Sequence, residues 1–383
     1  LNKNQSKILD FQKQSFIFNE KQKLSLNFTI KFQLYRCFNM SKLVTFVFLF
    51  PLLCFGQYQH GTTNFQFLNA SSSARNAGAG NGLISVYDND LGLALDNPAL
   101  LNEQMDGQVH YSYGKYPAGI HFGNVNYVLH SKIGTFAPNI RYFSYGQFVE
   151  TDEIGNDLGT FSGGEYAVGT SYARKINDVV SIGASLSIVG SQLYRYNSFG
   201  IAGSFSGLLV HPNKLLCATF LVKNAGIILK DYSSSSQSKL PLDVQAGLSY
   251  KLKHAPFRFG FQAHQLNQLQ NYYTDPFAQA TFDPLTGDTI PVFSPSIGKK
   301  IANHFNFQME LIASKSFQLR GGFNFMRREQ MKVTEHPGLA GFSMGMSLKL
   351  KKFNLDYGVQ FYSKAGSIHS IGLSSSIQNW KKH

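Results

Sequence analysis

From Gly107 onward the chain repeatedly alternates apolar with small or polar residues, the period of a half-buried β-strand. Val180, Ile182, Ala184, Leu186 and Ile188 share one face of such a segment, and Ser181, Gly183, Ser185 and Ser187 share the other. Phe342, Met344, Met346 and Leu348 oppose Ser343, Gly345, Ser347 and Lys349 in the same way. Fourteen segments carry the pattern, at 107–114, 119–130, 133–147, 163–173, 179–190, 198–210, 214–228, 241–252, 257–267, 301–313, 317–327, 340–350, 353–362 and 367–378. An apolar face opposite a small or polar one suits a wall with lipid outside and a polar interior.

The connections alternate in length. Those at 130–132, 174–178, 211–213, 253–256, 314–316 and 351–352 are short, and those at 148–162, 191–197, 229–240, 268–300 and 328–339 are longer. Outer-membrane barrels have short periplasmic turns and longer outer loops. The pattern therefore predicts an all-β fold, a 14-stranded antiparallel transmembrane β-barrel, with both ends of the mature chain on the periplasmic side. Composition agrees: charged residues are 15%, aromatics 14%, and there are 35 glycines, which is unusual for a soluble enzyme of this length. No stretch after residue 56 offers 18 consecutive apolar residues, so a membrane-spanning form of this sequence must be a closed barrel.

The N-terminal region reads differently. Residues 1–39 have no steady period and read as upstream sequence from a mis-assigned start, with a genuine extension as the alternative. Met40, Lys42, the apolar run from Leu43 to Phe55 and then Gly56 form a signal peptide over 40–56, cut before Gln57. The expected division is 1–39, the signal peptide 40–56, an N-terminal hatch 57–106 and the barrel 107–383, exported to the cell outer membrane. Residues 1–39 hold seven Lys/Arg and two acids and Lys42 adds one more cation, so about +7 of the total +13 remains. No basic helix accompanies that excess, and nucleic acid is not an expected partner. Cys217 is the one cysteine beyond the signal peptide and reads as a small buried hydrophobe.

Catalytic chemistry finds no constellation. Ser236 with Lys239 and Ser296 with Lys299 fit S-x-x-K, but neither has the companion motifs of a penicillin-binding site. The eleven histidines are scattered, and H-E-x-x-H and C-x-x-C are absent. No catalytic residue, cofactor or metal site is predicted. The Gly-rich stretch Ala77–Gly82 reads as a flexible part of the hatch. The acidic loop with Glu150, Asp152, Glu153 and Asp157 reads as solvated surface. Arg327-Arg328 leaves two readings open, a contact to lipopolysaccharide phosphate or solvated loop charge. Pro138, inside "TFAPNIRYF", removes a ladder donor, so a wall bulge or a lateral gap is expected there.

Several stretches resemble a known family: "FQFLNASSSARNAGAGN" (65–81), "ALDNPALLNEQMDGQ" (94–108), "YGQFVETDEIGNDLGTFSGGEYA" (145–167), "YKLKHAPFRFGFQAHQLN" (250–267), "LRGGFNFMRREQMK" (319–332) and "KKFNLDYGVQFYSKAGSIHSIGLS" (351–374). The chain is similar along these to the PorV/PorQ group of the type IX secretion system of Bacteroidetes, whose barrels are of the long-chain fatty acid transporter (FadL) type. The resemblance implies that the segment before the first strand folds back into the lumen as a hatch. Asn97 would cap a turn opened by Pro98 and continued by Ala99, with Leu91, Leu93 and Leu95 packed inward. It also implies a non-enzymatic role, holding the surface protein PorZ in an attachment complex with PorU and PorV. Surface geometry points to the loop 268–300 for that contact. Tyr272, Tyr273, Phe277 and Phe282 would be its anchors, or else loop packing or an interfacial girdle. The alternative is a FadL-like outer-membrane channel for a hydrophobic small molecule. A lumen filled by hatch and side chains favours docking; an open apolar lumen favours transport.

Overall fold

The computed structural model describes residues 63–234, 236–268, 281–282, 285, 287, 289–290, 296–332 and 338–380. The expected segments 1–39 and 40–56 lie outside these residues. The strands are β1 Gln108–Lys115, β2 His121–Tyr127, β3 Leu129–Ser131, β4 Gly134–Thr151, β5 Asp157–Lys175, β6 Val180–Leu193, β7 Tyr196–Val210, β8 Leu216–Lys230, β9 Asp243–Lys251 and β10 Phe257–Ala263. They continue as β11 Thr281–Phe282, β12 Thr289–Ile290, β13 Phe305–Leu311, β14 Phe317–Asn324, β15 Phe342–Lys349, β16 Phe353–Ser363 and β17 Gly366–Ser376. Three short helices are α1 Ala74–Gly78, α2 Ile297–Ala302 and α3 Phe325–Met331. Among the described residues no helix is long and apolar enough to cross a membrane.

All strands except the small β11–β12 ladder belong to one antiparallel sheet. It runs β2-β1-β17-β16-β15-β14-β13-β10-β9-β8-β7-β6-β5-β4-β3 and closes through β2 on β4. β2 and β3 pair with β4 in the same register, so together they are one interrupted strand, and the wall is a closed barrel of 14 strands. Closure leaves no unpaired sheet edge.

The alternation read in the sequence sorts cleanly across this wall. Met344 faces Val359 across β15–β16, and Leu355 faces Leu373 across β16–β17. Met344, Leu355, Ile371 and Leu373 are all exposed on the outside, as are Leu186, Ile188, Phe205 and Ile227 farther round. A continuous apolar belt of this extent is at home in lipid and costly in water. The opposite parity is buried and polar: Ser343, Ser347, Asp356, Gln360 and Ser374 face inward on the same strands.

Two expectations are corrected here, and of the two features expected at Pro138 the bulge is absent. The predicted loop 148–162 is mostly strand: β4 and β5 stay paired out to Thr151 and Asp157, and Phe148 stacks on Phe161 at 5.3 Å between ring centroids. The remaining tip is tied by Asp152, whose Oδ1 accepts from the amides of Ile154 (3.0 Å) and Asn156 (2.7 Å). The predicted loop 191–197 shrinks to Tyr194 and Arg195 between β6 and β7, with Tyr194 at φ 56°. At Pro138 there is no bulge. Its pairing to β5 is regular, Pro138 opposite Thr170. On the other side Asn126 lies opposite Asn139 and Leu129 opposite Phe136, so the register is unbroken and Tyr127 falls opposite Pro138. The Val128 amide donates to Gln108 O, so Tyr127 offers its polar groups to β4, where proline has no N–H to give. One ladder bond is lost, and β2 and β3 separate at that point.

Candidate functional site

The segment 63–106 lies inside the barrel. Its first described residues lie at the loop end and not at the short-turn end expected for the start of the mature chain: Thr63 bridges Lys239 and the Asn64 amide donates to Lys239 O (3.0 Å), and the segment descends to the short-turn end, where Asp106 Oδ1 accepts from the His130 amide (2.8 Å). Its core is apolar: Leu83, Val86, Leu93, Ala99 and Leu100 pack with Leu208, Val210 and Cys217 of the wall. Leu91 and Leu93 are buried and Leu95 is half-buried.

Asn97, Pro98 and Ala99 come together as a single anchored turn. Pro98–Leu100 is one 3-10 turn, and Asn97 Oδ1 accepts from the Ala99 amide at 3.0 Å. Asn97 Nδ2 donates to Ile84 O (2.6 Å), and the Ala99 amide also donates to Ser206 Oγ of β7 (3.0 Å). The turn lies directly on β6: a Cβ at Gly183 would sit 2.3 Å from Ala99 N. The Gly-rich stretch 77–82, read from sequence as flexible, is instead a close-packing surface. A Cβ at Gly78 would fall 2.7 Å from Gly345 Cα, and one at Gly358 would fall 2.2 Å from Ala74 O. Helix α1 therefore touches the wall backbone to backbone.

Charge ties the segment down as well. Arg75 is 2% exposed and forks onto Asp88, with Nη1 to Oδ1 at 3.0 Å and Nη2 to Oδ2 at 2.6 Å. It also reaches Asp90 (2.8 Å) and Glu310 of β13 (3.0 Å). Arg258 of β10 bridges the same two carboxylates, 3.1 Å from Asp88 and 2.7 Å from Glu310. Lys223 of β8 pairs with Asp96 at 2.9 Å, and Asn76 and Ser72 complete the shell of that carboxylate. Burial alone would raise the Asp96 carboxyl; Lys223 and Arg141 and the Ser72 hydroxyl outweigh it and hold the group below the usual carboxylate range. The sequence reading missed Arg75, Asp88, Asp96, Lys223, Arg258 and Glu310. The signal that finds those on the wall is charge on the inward parity of a strand: Glu310 stands between Met309 and Leu311.

At the loop end the lumen turns aromatic. Phe65 and Phe67 of the plug sit among Phe122, Phe143 and Ile368, with Tyr116, Tyr145 and Tyr362 against them. Phe67 is 6.4 Å from Phe143, Phe122 stacks on Phe143 at 6.0 Å, and Tyr116 meets Phe122 and Phe143 edge-on at 5.6 Å. Each buried ring contributes on the order of 1.5–3 kcal/mol. That packing holds Phe65 at φ 60°, a conformation that side chains rarely adopt. Cavities beside the plug include one of about 170 Å³ and one of about 40 Å³, and a vestibule of about 780 Å³ lies at the short-turn end.

The other sequence candidates separate. Tyr272, Tyr273 and Phe277 lie outside the described residues. Phe282 has its backbone paired with Thr289 in the β11–β12 ladder. Arg327 and Arg328 are not alike solvated charges: they stand on α3, where Arg328 Nη1 donates to Gly338 O (2.7 Å) and Arg327 turns inward over the Tyr362 ring (5.5 Å). Ser296 caps α2, its Oγ accepting from the Lys299 amide at 3.5 Å. Among the described residues no group of three His, Cys, Asp or Glu is placed to hold a metal ion.

No family model matches this chain, and no curated protein matches it. Solved structures do. A monoaromatic hydrocarbon channel, CymD, is 14% identical with a TM-score of 0.48, over 81% of this chain and 98% of that one. The toluene transporter TodX of Pseudomonas putida is 11% identical with a TM-score of 0.47, over 79% and 96%. A FadL homologue of Pseudomonas aeruginosa is 11% identical with a TM-score of 0.42, over 80% and 98%. The architecture of this chain rests on its own strand pairing and on the two faces of its wall.

Proposed function

We propose that this chain is a plugged outer-membrane channel whose plug shifts to admit a small hydrophobic molecule. The observation that carries it is the aromatic chamber at the loop end. The lumen holds an aromatic compartment there, and the plug's own Phe65 and Phe67 occupy it. A ligand with similar rings could replace them at little cost, because one apolar filling is exchanged for another. The test is fluorescence of N-phenyl-1-naphthylamine with the barrel purified in mild detergent. Saturable enhancement that is lost in Phe143→Gln is the expected result. No saturable binding by the wild-type protein would overturn the reading.

A second reading rests on the plug's anchoring. The Arg75 cluster and the Lys223–Asp96 pair fasten the plug to the wall, as suits a barrel that serves as a platform. In that reading the protein is exported by the signal peptide 40–56 and is a non-enzymatic component of the type IX secretion system. It holds PorZ at the cell surface beside PorU and PorV, through the loop 268–300, among outer-membrane lipid and lipopolysaccharide. Affinity isolation from outer membranes tests it: PorZ accompanies the intact barrel and is lost when 268–300 is removed. A barrel isolated without PorZ, yet binding the fluorophore, leaves the channel reading alone.

A further inference from the structure

The cavity of about 40 Å³ lies between the plug and strands β4 to β8, with Leu68 and Leu95 of the plug against it. A row of serines crosses its wall. Ser171 of β5 pairs in register with Ser185 of β6, and Ser185 with Ser204 of β7. The next strand breaks register there. Gly203 faces Ala225 and Phe205 faces Val222, so Ser204 stands opposite both Lys223 and Asn224. This is a β-bulge, with one extra residue on β8. Asn224 holds φ 58°, which is uncommon for a residue with a side chain. The bulge turns two consecutive side chains inward. Lys223 Nζ reaches Asp96 of the plug (2.9 Å), and Asn224 Nδ2 donates to Asn69 Oδ1 of the plug (3.0 Å). Uncommon backbone kept in a regular wall points to a role for the groups that it aims.

Charge accounting gives the sign. The lining of this cavity holds Arg141 and Lys223 and no carboxylate. Lys223 also lines the cavity of about 170 Å³, where the other charged side chains are Asp96, Asp243 and Arg327. Over the two cavities together, Arg141, Lys223 and Arg327 stand against Asp96 and Asp243. Asp96 matches Lys223, Asp243 offsets Arg327, and Arg141 is the surplus. Arg141 is 8% exposed, and its Nη1 donates to Leu68 O (3.1 Å), a neutral acceptor. Among the described residues Asp96 is the one carboxylate whose charge reaches it, and Lys223 is closer to that charge. Glu165, farther along β5, is engaged by the Tyr145 hydroxyl (2.6 Å). A buried cation without an anion of its own is costly.

Hydroxyl donors line the same cavity. Ser171 Oγ, on a residue 1% exposed, is buried without a partner. Buried polar atoms in this condition are few in native proteins. Ser204 Oγ accepts from the Asn224 amide (3.3 Å), which leaves its own proton free to donate.

We propose that this cavity is a binding site for a halide ion, with chloride as the physiological occupant. The ion sits beside the Arg141 guanidinium and accepts from the hydroxyls of Ser171, Ser185 and Ser204. Its single negative charge closes the count over the two cavities. The volume is close to the roughly 30 Å³ of one water, which takes a monatomic ion and excludes sulfate, phosphate or a carboxylate with its carbon chain. Held between wall and plug, the ion braces the plug against β4 to β8. The site stands apart from the aromatic chamber and does not depend on the function proposed above.

The experiment is isothermal titration of the full barrel in mild detergent with sodium chloride, at constant ionic strength in sodium gluconate, with sodium bromide and sodium sulfate as comparisons. Saturable binding of chloride and of bromide is expected, with sulfate at least tenfold weaker. Arg141→Gln should lose at least tenfold in chloride affinity. Ser185→Val should lose as much, because it fills the cavity with methyl groups and leaves every ion pair in place. Heat-modifiable gel migration reports that each variant is folded. Should Arg141→Gln fail to fold, Ser185→Val decides, since valine suits a strand. No saturable chloride binding by the wild-type barrel, sulfate binding as tight as chloride, or full chloride binding by either folded variant would each overturn the proposal.

Discussion

Lys223 on β8 places Nζ 2.9 Å from Oδ1 of Asp96 in the plug, 127 residues earlier in the chain, with both side chains largely shielded from solvent. The pair joins the plug to the wall, so removing one partner leaves a buried charge unmatched. Such a loss costs about 3–5 kcal/mol. Lys223→Met should therefore loosen the plug while the wall, held by its own ladders, stays closed. Limited proteolysis of segment 63–106 in the reconstituted barrel should rise by tenfold or more. Adding Asp96→Asn should recover much of the protection, since the unmatched charge is then gone.

The same pair sets a pH dependence. The Asp96 carboxyl is held below its ordinary value in the folded protein. A depressed pKa contributes stability that is fully present above the unfolded-state value, about 3.9, and is lost as pH falls through the folded value. Plug protection attributable to this pair should be flat from pH 8 to about 5 and decline only below about pH 4. Asp96→Asn should remove that acid-limb loss. A single-channel conductance trace across the same range would read it directly, as openings that appear on the acid side only.

Gly183 tests the contact between the Asn97–Ala99 turn and the wall. A Cβ there would lie 2.3 Å from Ala99 N and 2.5 Å from Pro98 C, backbone atoms that cannot rotate away. Gly183→Val should displace the turn at a cost of about 1–3 kcal/mol. The strand itself tolerates valine, whose β-branch suits a pleated wall. The barrel should keep its heat-modifiable migration while the Ala99 amide exchanges hydrogen at least tenfold faster. Unchanged exchange would mean that β6 yields instead of the plug.

The wall is legible in the sequence because its logic is local. Val180 to Ile188 shows both faces within nine residues, and nothing distant is needed to place them. The hairpin at 148–162 escapes the same reading because Glu150, Asp152, Glu153 and two glycines interrupt the alternation, although Phe148 and Phe161 still pair across it. The turn at Asn97-Pro98 is visible for the local reason that a capping residue precedes a proline. What holds the plug is not visible in that way. Arg75 meets Glu310 across 235 residues, and neither position carries a mark of the other. Gly78 looks like freedom in a linear reading and becomes close contact only once Gly345 and Gly358 lie beneath it. Arg327 differs from Arg328 only through the side of a short helix on which each falls.

Pro138 offers the last test, because its effect on the wall can be reversed by a single substitution. Its ring leaves the β4–β2 ladder one donor short opposite Tyr127, with the register otherwise intact. Pro138→Ala restores an N–H aimed at a waiting carbonyl. If the gap is only a missing bond, the barrel gains about 0.5–1.5 kcal/mol, seen as a higher temperature for the heat-modifiable transition. Binding of N-phenyl-1-naphthylamine should then be unchanged in rate and extent. If the interruption is a side passage for the ligand, sealing it slows binding severalfold although the barrel is more stable. The two readings therefore predict the same direction in stability and different outcomes in kinetics.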